Sequence, residues 1–315
     1  MSRAIACIVA DWGTTNLRVW AMAADGGAIE RRVSDRGLLA VERGRFVETL
    51  EGACGDWLAG RRLPVVMSGM VGSKLGWKEV AYLATPLGLD ELARHLSPVE
   101  APFAAAIVPG VRFDDPAAPD VMRGEETQIL GALQALGCEQ GVFLLPGTHS
   151  KWAIVEDRQL VAFRTYMTGE IYGLLRSHGT LGQLMEGEAA HDAAFPHGVK
   201  RAIAGEPDDL LHGLFGVRAL GLLGHLSRPD LAGYLSGLLI GTEMRSGLAW
   251  LAAKGRSRRA VAVGSPGMLE SYRIAAGLCG LELTSLNSDD VTPGALLTIA
   301  RSAGLLARGR LEPGG

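Results

Sequence analysis

Short apolar runs separated by polar turns dominate the N-terminal region. Residues 5–10 and 17–23 form two such runs, and a third covers residues 28–33. Apolar runs of this length, bounded by glycine and small polar residues, predict β-strands joined by tight turns. The hexapeptide 11–16, Asp-Trp-Gly-Thr-Thr-Asn, lies between the first two strands and is therefore expected to form a hairpin turn.

The same arrangement occurs a second time in the middle of the chain. An apolar run over residues 142–145 precedes the turn 146–150, Pro-Gly-Thr-His-Ser, and strands are predicted over residues 151–156 and 160–164. A strand, a Gly-Thr turn and two further strands, repeated at the spacing of a domain, predict two duplicated lobes that face one cleft.

The remaining apolar pattern alternates between helical and strand periodicity, which is typical of mixed α/β lobes. We predict helices over residues 46–58, 91–96, 171–178, 231–253 and 293–307, a helix that follows residues 122–128 and ends near Leu136, and a helix that follows the turn 264–267 with Leu269, Tyr272, Ala276 and Cys279 on one face. The predicted strands cover residues 64–67, 104–108, 260–263 and 281–286, and an exposed loop is predicted over residues 113–120. The last helix is expected to begin at Pro293, because proline is favoured in a first helical turn.

Three glycines of the long helix, Gly233, Gly237 and Gly241, recur every four residues and share one ridge. Each glycine costs ~1 kcal/mol relative to alanine in a helix interior. Three that are aligned in this way predict that another backbone or a ligand approaches the ridge closely.

The composition argues against several classes of function. The chain has 315 residues, of which 48% are hydrophobic and 21% are charged, enough for two domains with sizeable cores. The net charge of −3 provides no basic field for binding nucleic acid. The four cysteines are far apart, and no apolar run is long enough to span a membrane. Because a signal-peptide pattern is also missing, we expect a cytoplasmic protein with reduced thiols.

The two Gly-Thr turns are candidate phosphate sites. Glycine leaves backbone N–H groups accessible, and threonine adds hydroxyl donors. Asp11 ends the first strand, where its carboxylate could hold Mg²⁺ through water. The alternative is a pair of ordinary hairpins, in which the Asp and Thr side chains only form hydrogen bonds with the backbone of the turn. The candidate cofactor-binding residues are Gly13, Thr14, Thr15, Asn16, Gly147, Thr148 and His149.

Polar and small residues follow the strand over residues 64–67, in the position where α/β domains often bind ligands. The alternative is that this segment is only a glycine-rich loop, in which the tryptophan has no role in binding a ligand. The candidate substrate-binding residues in this segment are Ser68, Gly69, Met70, Lys74 and Trp77.

Two adjacent carboxylates, Glu125 and Glu126, begin the helix that would join the lobes. A carboxylate near the phosphates can accept the proton of a substrate hydroxyl during phosphoryl transfer. The alternative is that both only interact with the helix dipole, which is worth ~0.3–1 kcal/mol for each. Neighbouring helical residues point about 100° apart, so only one of the two can face an acceptor.

Two phosphate-holding hairpins, one in each lobe, resemble the plan of the actin/hexokinase/Hsp70 superfamily. Sugar kinases of the glycerol and xylulose kinase type have a Gly-Asp helix start with the Asp as base, and Gly124-Glu125 resembles it with Glu in place of Asp. That match favours Glu125 as the base, with Glu126 as the alternative. Residues 263–267 resemble the adenine-binding strand end of those kinases, which implies cofactor contacts by Gly264 and Ser265.

A closer resemblance, to the 2-dehydro-3-deoxygalactonokinase family, extends over nearly the whole chain. Its motifs cover residues 11–18, 67–73, 122–128, 145–152 and 236–241. The resemblance implies that ATP, with Mg²⁺, phosphorylates the 6-hydroxyl of 2-dehydro-3-deoxy-D-galactonate in galactonate catabolism. It also implies two actin-like, ribonuclease H-like ATPase lobes: residues 1–137 would bind the sugar acid, residues 138–315 would bind adenosine, and a homodimer is possible.

The substrate of that family is an anion, so a cation should meet its carboxylate. The candidates are Arg123, Lys74, Lys151 and Arg164, each of which could instead be an ordinary structural or surface charge. A sugar-responsive regulator with this fold would carry a DNA-binding domain before the first hairpin, whereas ten residues precede Asp11. A chaperone or filament ATPase would need extra lobes. The nearest alternative is a kinase for another sugar or sugar acid.

Overall fold

The computed structural model describes residues 3–187, 189, 193–206 and 209–306. The strands are β1 (Ile5–Trp12), β2 (Leu17–Ala23), β3 (Ala28–Ser34), β4 (Val65–Gly69), β5 (Tyr82–Ala84), β6 (Leu87–Gly88), β7 (Ser97–Val99), β8 (Ala105–Ile107), β9 (Gly110–Phe113), β10 (Asp120–Met122), β11 (Gly141–Leu145), β12 (Ser150–Glu156), β13 (Gln159–Tyr166), β14 (Arg259–Gly264) and β15 (Glu282–Asn287). The α-helices are α1 (Phe46–Leu58), α2 (Glu125–Leu136), α3 (Thr168–Ser177), α4 (Ala194–Ala204), α5 (Leu210–Leu222), α6 (Asp230–Ala253), α7 (Pro266–Cys279) and α8 (Ser288–Ser302). Within the described ranges, no helix has the length and apolar character needed to cross a membrane.

The two large sheets share one strand order. The first sheet has the order β3-β2-β1-β4-β8-β7, and the other has the order β15-β14-β11-β12-β13-β6. Thus β3-β2-β1-β4-β8 of the first corresponds to β13-β12-β11-β14-β15 of the second. In both sheets the strand that leads into the Gly-Thr turn pairs in parallel with the next crossover strand, β1 with β4 and β11 with β14. The predicted duplication is therefore confirmed.

The described chain divides into two compact units. Unit 1 comprises the described residues of 3–141, 154–163 and 288–306, and unit 2 comprises those of 142–153 and 164–287. The C-terminal helix α8 belongs to unit 1 because it packs on β1 and α2. The assignment of sugar-acid binding to one lobe and adenosine binding to the other stays a prediction.

Aromatic side chains and a close helix pair form the interior of unit 1. Trp12 and Phe46 meet edge to face with ring centroids 5.6 Å apart, and Trp77 stacks on Phe46 at 6.1 Å. A Cβ at Gly131 of α2 would lie 2.4 Å from the carbonyl oxygen of Val291 of α8. Only glycine permits this approach, which holds α2 firmly against the C-terminal helix.

The glycine ridge of α6 packs against α4 in unit 2. A Cβ at Gly237 would lie 2.1 Å from the carbonyl oxygen of Phe195, and one at Gly241 would lie 3.0 Å from the backbone of the same helix. The restriction is mutual, since a Cβ at Gly198 of α4 would lie 2.1 Å from the carbonyl oxygen of Tyr234. The predicted close approach of another backbone is confirmed at Gly237 and Gly241.

The loop predicted over residues 113–120 is shorter in the structure. Phe113 and Asp120 pair with each other at the ends of β9 and β10. The antiparallel pairing of these two strands supplies backbone hydrogen bonds that local composition does not reveal.

The C-terminal helix begins earlier than predicted. Helix α8 starts at Ser288, so Pro293 lies inside it and not at its start. Asp289 and Asp290 occupy the first turn, where negative side chains suit the helix dipole. The helix also ends earlier than predicted, at Ser302, and residues 303–306 form turns; the predicted end at Ala307 lies outside the described residues.

Candidate active site

The first Gly-Thr turn is a tight hairpin, and backbone hydrogen bonds within the turn and from residues 37–39 hold it in place. The N–H of Gly13 donates to the carbonyl oxygen of Asn16 at 2.9 Å. The carbonyl oxygens of Gly13, Thr14 and Thr15 accept from the N–H groups of residues 37–39. The residues Thr14, Thr15 and Asn16 are exposed, so a rigid turn presents hydroxyl and amide groups to solvent.

Asp11, at the end of β1, belongs to a cluster of charges. Its Oδ2 accepts a hydrogen bond from Arg18 Nη1 at 3.1 Å, and Arg18 Nε lies 3.6 Å from Asp289 Oδ1. Burial raises the pKa of Asp11; Arg18 opposes this effect, whereas the charges of Glu125 and Asp289 add to it. The charges of Glu125 and Asp289 therefore both act on Asp11, and an added cation beside Asp11 would favour its ionised form.

Neither Arg18 nor Asp289 was predicted as a site residue. Arg18 could have been found, since it lies in the 11–18 motif and pairs with Asp11 across the hairpin. Asp289 belongs to α8, and no local pattern in the sequence connects that helix to β1.

Two glycines with positive φ bring the end of β1 close to the start of α2. Gly69 has φ 94°, and a Cβ there would lie 2.7 Å from the carbonyl oxygen of Trp12 and 3.3 Å from Asp11 Oδ1. Gly124 has φ 111°, and its Cβ would lie 3.2 Å from the Cα of Gly69. Because a side chain is disfavoured at both positions, the two strand ends and the helix start converge, and Glu125 lies near Asp11.

The two carboxylates at the start of α2 have different surroundings. Glu125 is half-buried, and its Oε2 accepts a hydrogen bond from the Arg123 N–H at 2.9 Å. Glu126 is fully buried, and both of its oxygens accept from the Gly124 N–H, at 2.9 and 2.8 Å. Burial raises the pKa of Glu126 to about 8, and the charge of Glu125 contributes. Of the two, Glu125 is more accessible to a substrate hydroxyl.

Arg123 is a buried cation beside the segment that follows β4. Its Nη2 donates to the carbonyl oxygen of Val80 at 2.6 Å, and its guanidinium lies 4.3 Å from the centre of the Tyr82 ring. Its Nε and Nη1, like the Oγ of Ser68, are buried and have no hydrogen-bond partner among the described residues. Such groups cost ~1–3 kcal/mol each when they stay unpaired. The binding of an anionic ligand by Arg123 stays a prediction.

The other predicted substrate residues of unit 1 have ordinary surroundings. Met70 is half-buried and Lys74 is exposed. Trp77 is half-buried against Phe46, and this packing alone accounts for its position. Their contact with substrate stays a prediction.

The second Gly-Thr turn packs on the start of α3 in unit 2. A Cβ at Gly169 would lie 2.5 Å from the carbonyl oxygen of Gly147 and 2.9 Å from the Cα of Thr148. The Glu170 N–H donates to the carbonyl oxygen of Thr148 at 3.0 Å, and the Glu170 carboxylate bonds to the His149 ring. Since Thr148 and His149 are exposed, α3 fixes the backbone of the turn and leaves these two residues at the surface.

A fully buried carboxylate, Glu243 on α6, lies behind this turn. Its Oε1 accepts hydrogen bonds from Ser150 Oγ at 2.6 Å and from Trp152 Nε1 at 2.9 Å. Its Oε2 accepts from Thr168 Oγ1 at 2.5 Å and from Tyr272 OH at 2.6 Å. Burial raises the pKa of Glu243, and the four donors oppose this. Glu243 was not predicted as a site residue, because its only signal in the sequence is an acidic residue inside a largely apolar helix.

Two predicted cations of unit 2 differ in burial. Lys151 is buried, and its Nζ donates to Thr165 Oγ1 at 2.9 Å. Arg164 is exposed, and its guanidinium lies 5.7 Å from the centre of the Trp250 ring. A substrate contact by either residue stays a prediction.

The proposed adenosine element lies at the junction of β14 and α7. Gly264 ends the strand, and Ser265 is the residue that precedes the helix. A Cβ at Gly264 would make an ordinary contact with Pro146 at 3.6 Å, so local packing does not require glycine there. Adenosine binding by these two residues therefore stays a prediction.

The carboxylates of Asp11 and Asp289 are better suited to a metal ion that is bound by a nucleotide than to one that is bound by protein side chains alone. Among the residues that the structure describes, no group of three or more His, Cys, Asp or Glu side chains could hold a metal ion. Nucleotide-bound Mg²⁺ usually keeps several waters and needs only one or two protein carboxylates. Asp11, with Asp289 nearby, meets that smaller requirement.

Comparison with known proteins places the chain among sugar-acid kinases. A family model described as 2-keto-3-deoxy-galactonokinase matches residues 11–299. The protein named probable 2-dehydro-3-deoxygalactonokinase from Rhizobium meliloti (strain 1021) is 35% identical over 93% of this chain and 95% of its own length. The 2-dehydro-3-deoxygalactonokinase of Escherichia coli (strain K12) is 34% identical over 94% of this chain and 97% of its own length.

One solved structure supports the same assignment, and a second supports the fold alone. A crystal structure from Sinorhizobium meliloti, assigned as a 2-dehydro-3-deoxygalactonokinase, has a TM-score of 0.87 and 34% identity, covering 94% of this chain and 98% of that one. The activator of 2-hydroxyisocaproyl-CoA dehydratase from Clostridium difficile, at 12% identity and a TM-score of 0.51, covers 96% of this chain and 95% of its own, and shows the fold alone. The predicted fold class, mixed α/β with two duplicated lobes, is confirmed. Given the family match and relatives above 30% identity over nearly the whole chain, the protein belongs to the 2-keto-3-deoxy-galactonokinase family, a family of kinases.

Proposed function

We propose that this chain uses ATP to phosphorylate 2-dehydro-3-deoxy-D-galactonate at its 6-hydroxyl, a step of galactonate catabolism. The observation that carries the proposal is the convergence of Asp11, Gly69, Gly124 and Glu125 at the end of β1, directly before the first Gly-Thr turn. Phosphoryl transfer to an alcohol needs groups that hold the phosphates and a carboxylate that accepts the hydroxyl proton. Family membership supports the choice of acceptor.

Glu125 is the proposed base. The bond between the substrate O6 and the γ-phosphorus forms, the bond from that phosphorus to the oxygen of ADP breaks, and the hydroxyl proton passes to the Glu125 carboxylate. The Arg123 N–H donates to Glu125 Oε2 and orients the carboxylate for this role. Glu126 supports the site by accepting from the Gly124 N–H and so holding the helix start.

The two Gly-Thr turns are the proposed phosphate-binding elements, through Gly13, Thr14, Gly147 and Thr148, with Thr15, Asn16 and His149 beside them. Mg²⁺ supplies neutralisation of the β- and γ-phosphate charge when it is bound, and Asp11 would hold it through water.

Gly264 and Ser265 are the proposed adenosine contacts. The proposal includes a cytoplasmic location, and a homodimer remains an expectation.

Arg123 is the proposed partner of the substrate carboxylate. Its guanidinium is buried, and two of its nitrogens have no hydrogen-bond partner within the described ranges. A guanidinium donates charge-assisted hydrogen bonds to a carboxylate, and such bonds gain strength in a site shielded from water. Lys151, Lys74 and Arg164 are the alternatives.

A panel of acceptors tests the proposed function. Purified protein with ATP and Mg²⁺ is assayed for ADP release with 2-dehydro-3-deoxygalactonate, with the epimeric keto-deoxy acid and with neutral hexoses. We expect turnover with the first acid at the highest kcat/KM. Turnover of neutral hexoses, with the acid left unphosphorylated, would show that the acceptor is wrong.

The variant Asp11→Asn tests the metal role. It keeps the size of the side chain and removes the charge, so we expect a large fall in kcat that is greatest at limiting Mg²⁺, with an unchanged circular dichroism spectrum. Asp90→Asn is a matched control, because Asp90 also pairs with an arginine of unit 1, Arg158, on the exposed surface. Asp11→Asn kinetics that match those of the control at limiting Mg²⁺ would remove Asp11 from the site.

A further inference from the structure

We propose that Glu243 is a positioning residue for the nucleotide, which holds the second Gly-Thr turn and helix α7 in the arrangement needed for phosphoryl transfer. This inference rests on the proposed function. Glu243 does not reach the surface, since only 2% of it is exposed, so it acts through the groups that it binds.

One path from Glu243 to the turn is direct. Ser150 follows the turn residues 147–149 in the chain, and its hydroxyl donates to Glu243 Oε1 at 2.6 Å. The indole of Trp152, two residues further along β12, donates to the same oxygen at 2.9 Å. The end of the turn and the strand after it are therefore tied to α6 by one carboxylate oxygen.

A second path passes through the start of α3. Thr168 donates to Glu243 Oε2 at 2.5 Å and precedes Gly169, which lies against the backbone of Gly147 and Thr148 without room for a side chain. Displacement of Thr168 would therefore shift the surface on which the phosphate turn rests. The turn is held from both sides by oxygens of the same carboxylate.

A third contact reaches the proposed adenosine element. Tyr272 lies on α7, the helix that begins next to Ser265, and its hydroxyl donates to Glu243 Oε2 at 2.6 Å. Glu243 thus joins the phosphate turn and the helix of the adenosine element. All of these groups lie in unit 2.

The chemistry of the donors explains why a carboxylate is used. An ionised carboxylate is an acceptor only, and here it receives two hydroxyl donors, one indole N–H and a phenol O–H. Buried charges seldom stabilise a fold more than apolar side chains of the same volume do. A core residue whose only task was stability would not need four directional hydrogen bonds to four separate positions, whereas a residue that fixes a binding turn does.

The variant Glu243→Gln tests this role, because it keeps the shape of the side chain and replaces one acceptor oxygen by an NH₂ group. Trp152 Nε1 can only donate, so the amide oxygen must face Ser150 and Trp152, and the NH₂ must face Thr168 and Tyr272. We expect the KM for ATP to rise about tenfold and kcat to fall, with the KM for the sugar acid within about twofold of wild type. Calorimetric titration with a non-hydrolysable ATP analogue should show the same loss of affinity.

Two controls separate positioning from stability. Leu235→Ala truncates a fully buried core residue on the same helix and should lower the Tm while leaving the KM for ATP unchanged. Thr168→Val removes the hydroxyl and should reproduce the Glu243→Gln kinetics, whereas Thr168→Ser keeps the hydroxyl and should behave as wild type. If Glu243→Gln does not fold, this pair of Thr168 variants tests the proposal.

The inference fails if Glu243→Gln or Thr168→Val has wild-type KM for ATP and wild-type analogue affinity, or if Leu235→Ala weakens nucleotide binding equally. Failure of the proposed function looks different. In that case the wild-type protein leaves the sugar acid unphosphorylated, while the analogue titration still measures whether Glu243 affects nucleotide binding.

Discussion

Glu125 and Glu126 are adjacent and carry the same functional group, but they differ in solvent exposure. We assign them different roles for that reason. Glu125 is half-buried at the corner that contains Asp11, whereas Glu126 is fully buried and uses both oxygens to hold the Gly124 N–H. Glu125→Gln should therefore lower kcat by about 10²–10⁴-fold, the usual contribution of a general base, with substrate KM changed only a few-fold. Steady-state kinetics with the sugar acid measures this effect.

Glu126→Gln is the matched control, since it makes the same chemical change one residue away. We expect it to be the milder of the two. A larger fall in kcat for Glu126→Gln would transfer the base role to Glu126. If neither variant lowers kcat tenfold, the carboxylate-base mechanism at this helix is wrong.

The buried Glu126 also predicts a pH dependence of stability. Its pKa is raised from 4.5 to about 8 in the folded protein. Between these values the folded protein keeps a proton that the unfolded chain has released, so raising the pH lowers the free energy of unfolding. Glu126→Gln removes this component. Urea unfolding should show that the free energy of unfolding of the variant rises relative to that of wild type from about pH 5 to about pH 8. The same pH dependence in both proteins would contradict the raised pKa of Glu126.

Residues of the site were predictable where their chemistry follows from local sequence. Asp11, Gly69 and Gly124-Glu125 all stand at the ends of predicted elements, and the structure brings them together. Asp289 and Glu243 were not predictable, because each acts through contacts between segments far apart in the chain. Burial, which distinguishes Glu125 from Glu126, is likewise a property of the packed structure.

At the scale of elements, glycine determines how closely helices approach. The contact of α4 with α6 has no space for a Cβ at Gly237, which would lie 2.1 Å from the carbonyl oxygen of Phe195. Gly237→Ala should therefore destabilise the protein by ~1–3 kcal/mol, since backbone must move to accept the methyl group. Chemical denaturation of the purified variant measures the change.

Gly277 of α7 provides the control for that substitution. It is an exposed helical glycine, and a Cβ there would meet no atom within 4 Å. Gly277→Ala should stabilise the helix by up to ~1 kcal/mol. Equal effects of the two substitutions would show that helix propensity, and not the α4–α6 contact, determines the response at Gly237.

Local pattern predicted elements well where an apolar face and clear turn residues coincide. The bounds of β2 and α1 match the prediction, and the spacing of the glycine ridge correctly indicated a neighbouring backbone. The start of α8 was mispredicted because Pro293 resembles a first-turn proline, while the acidic residues before it form the actual first turn. The short strands β9 and β10 depend on pairing with each other, which local composition does not reveal.

At the scale of the whole molecule, the duplicated strand order supports the proposal that each unit provides one phosphate-binding turn. Both large sheets place a Gly-Thr turn after the strand that pairs with a parallel crossover strand, and each turn is supported by its own unit. The sequence repeat predicted this duplication. It could not predict that unit 1 takes in residues 154–163 and 288–306, because that grouping follows from packing in three dimensions.

The most direct test of the central claim is identification of the product. Wild-type protein is incubated with ATP, Mg²⁺ and 2-dehydro-3-deoxy-D-galactonate, and the mixture is analysed by phosphorus NMR and mass spectrometry, with Glu125→Gln as the control. We expect equal amounts of ADP and a monophosphate ester coupled to the protons of carbon 6, with almost none from the variant. ADP without a phosphorylated acid, or phosphate on another hydroxyl, would contradict the account.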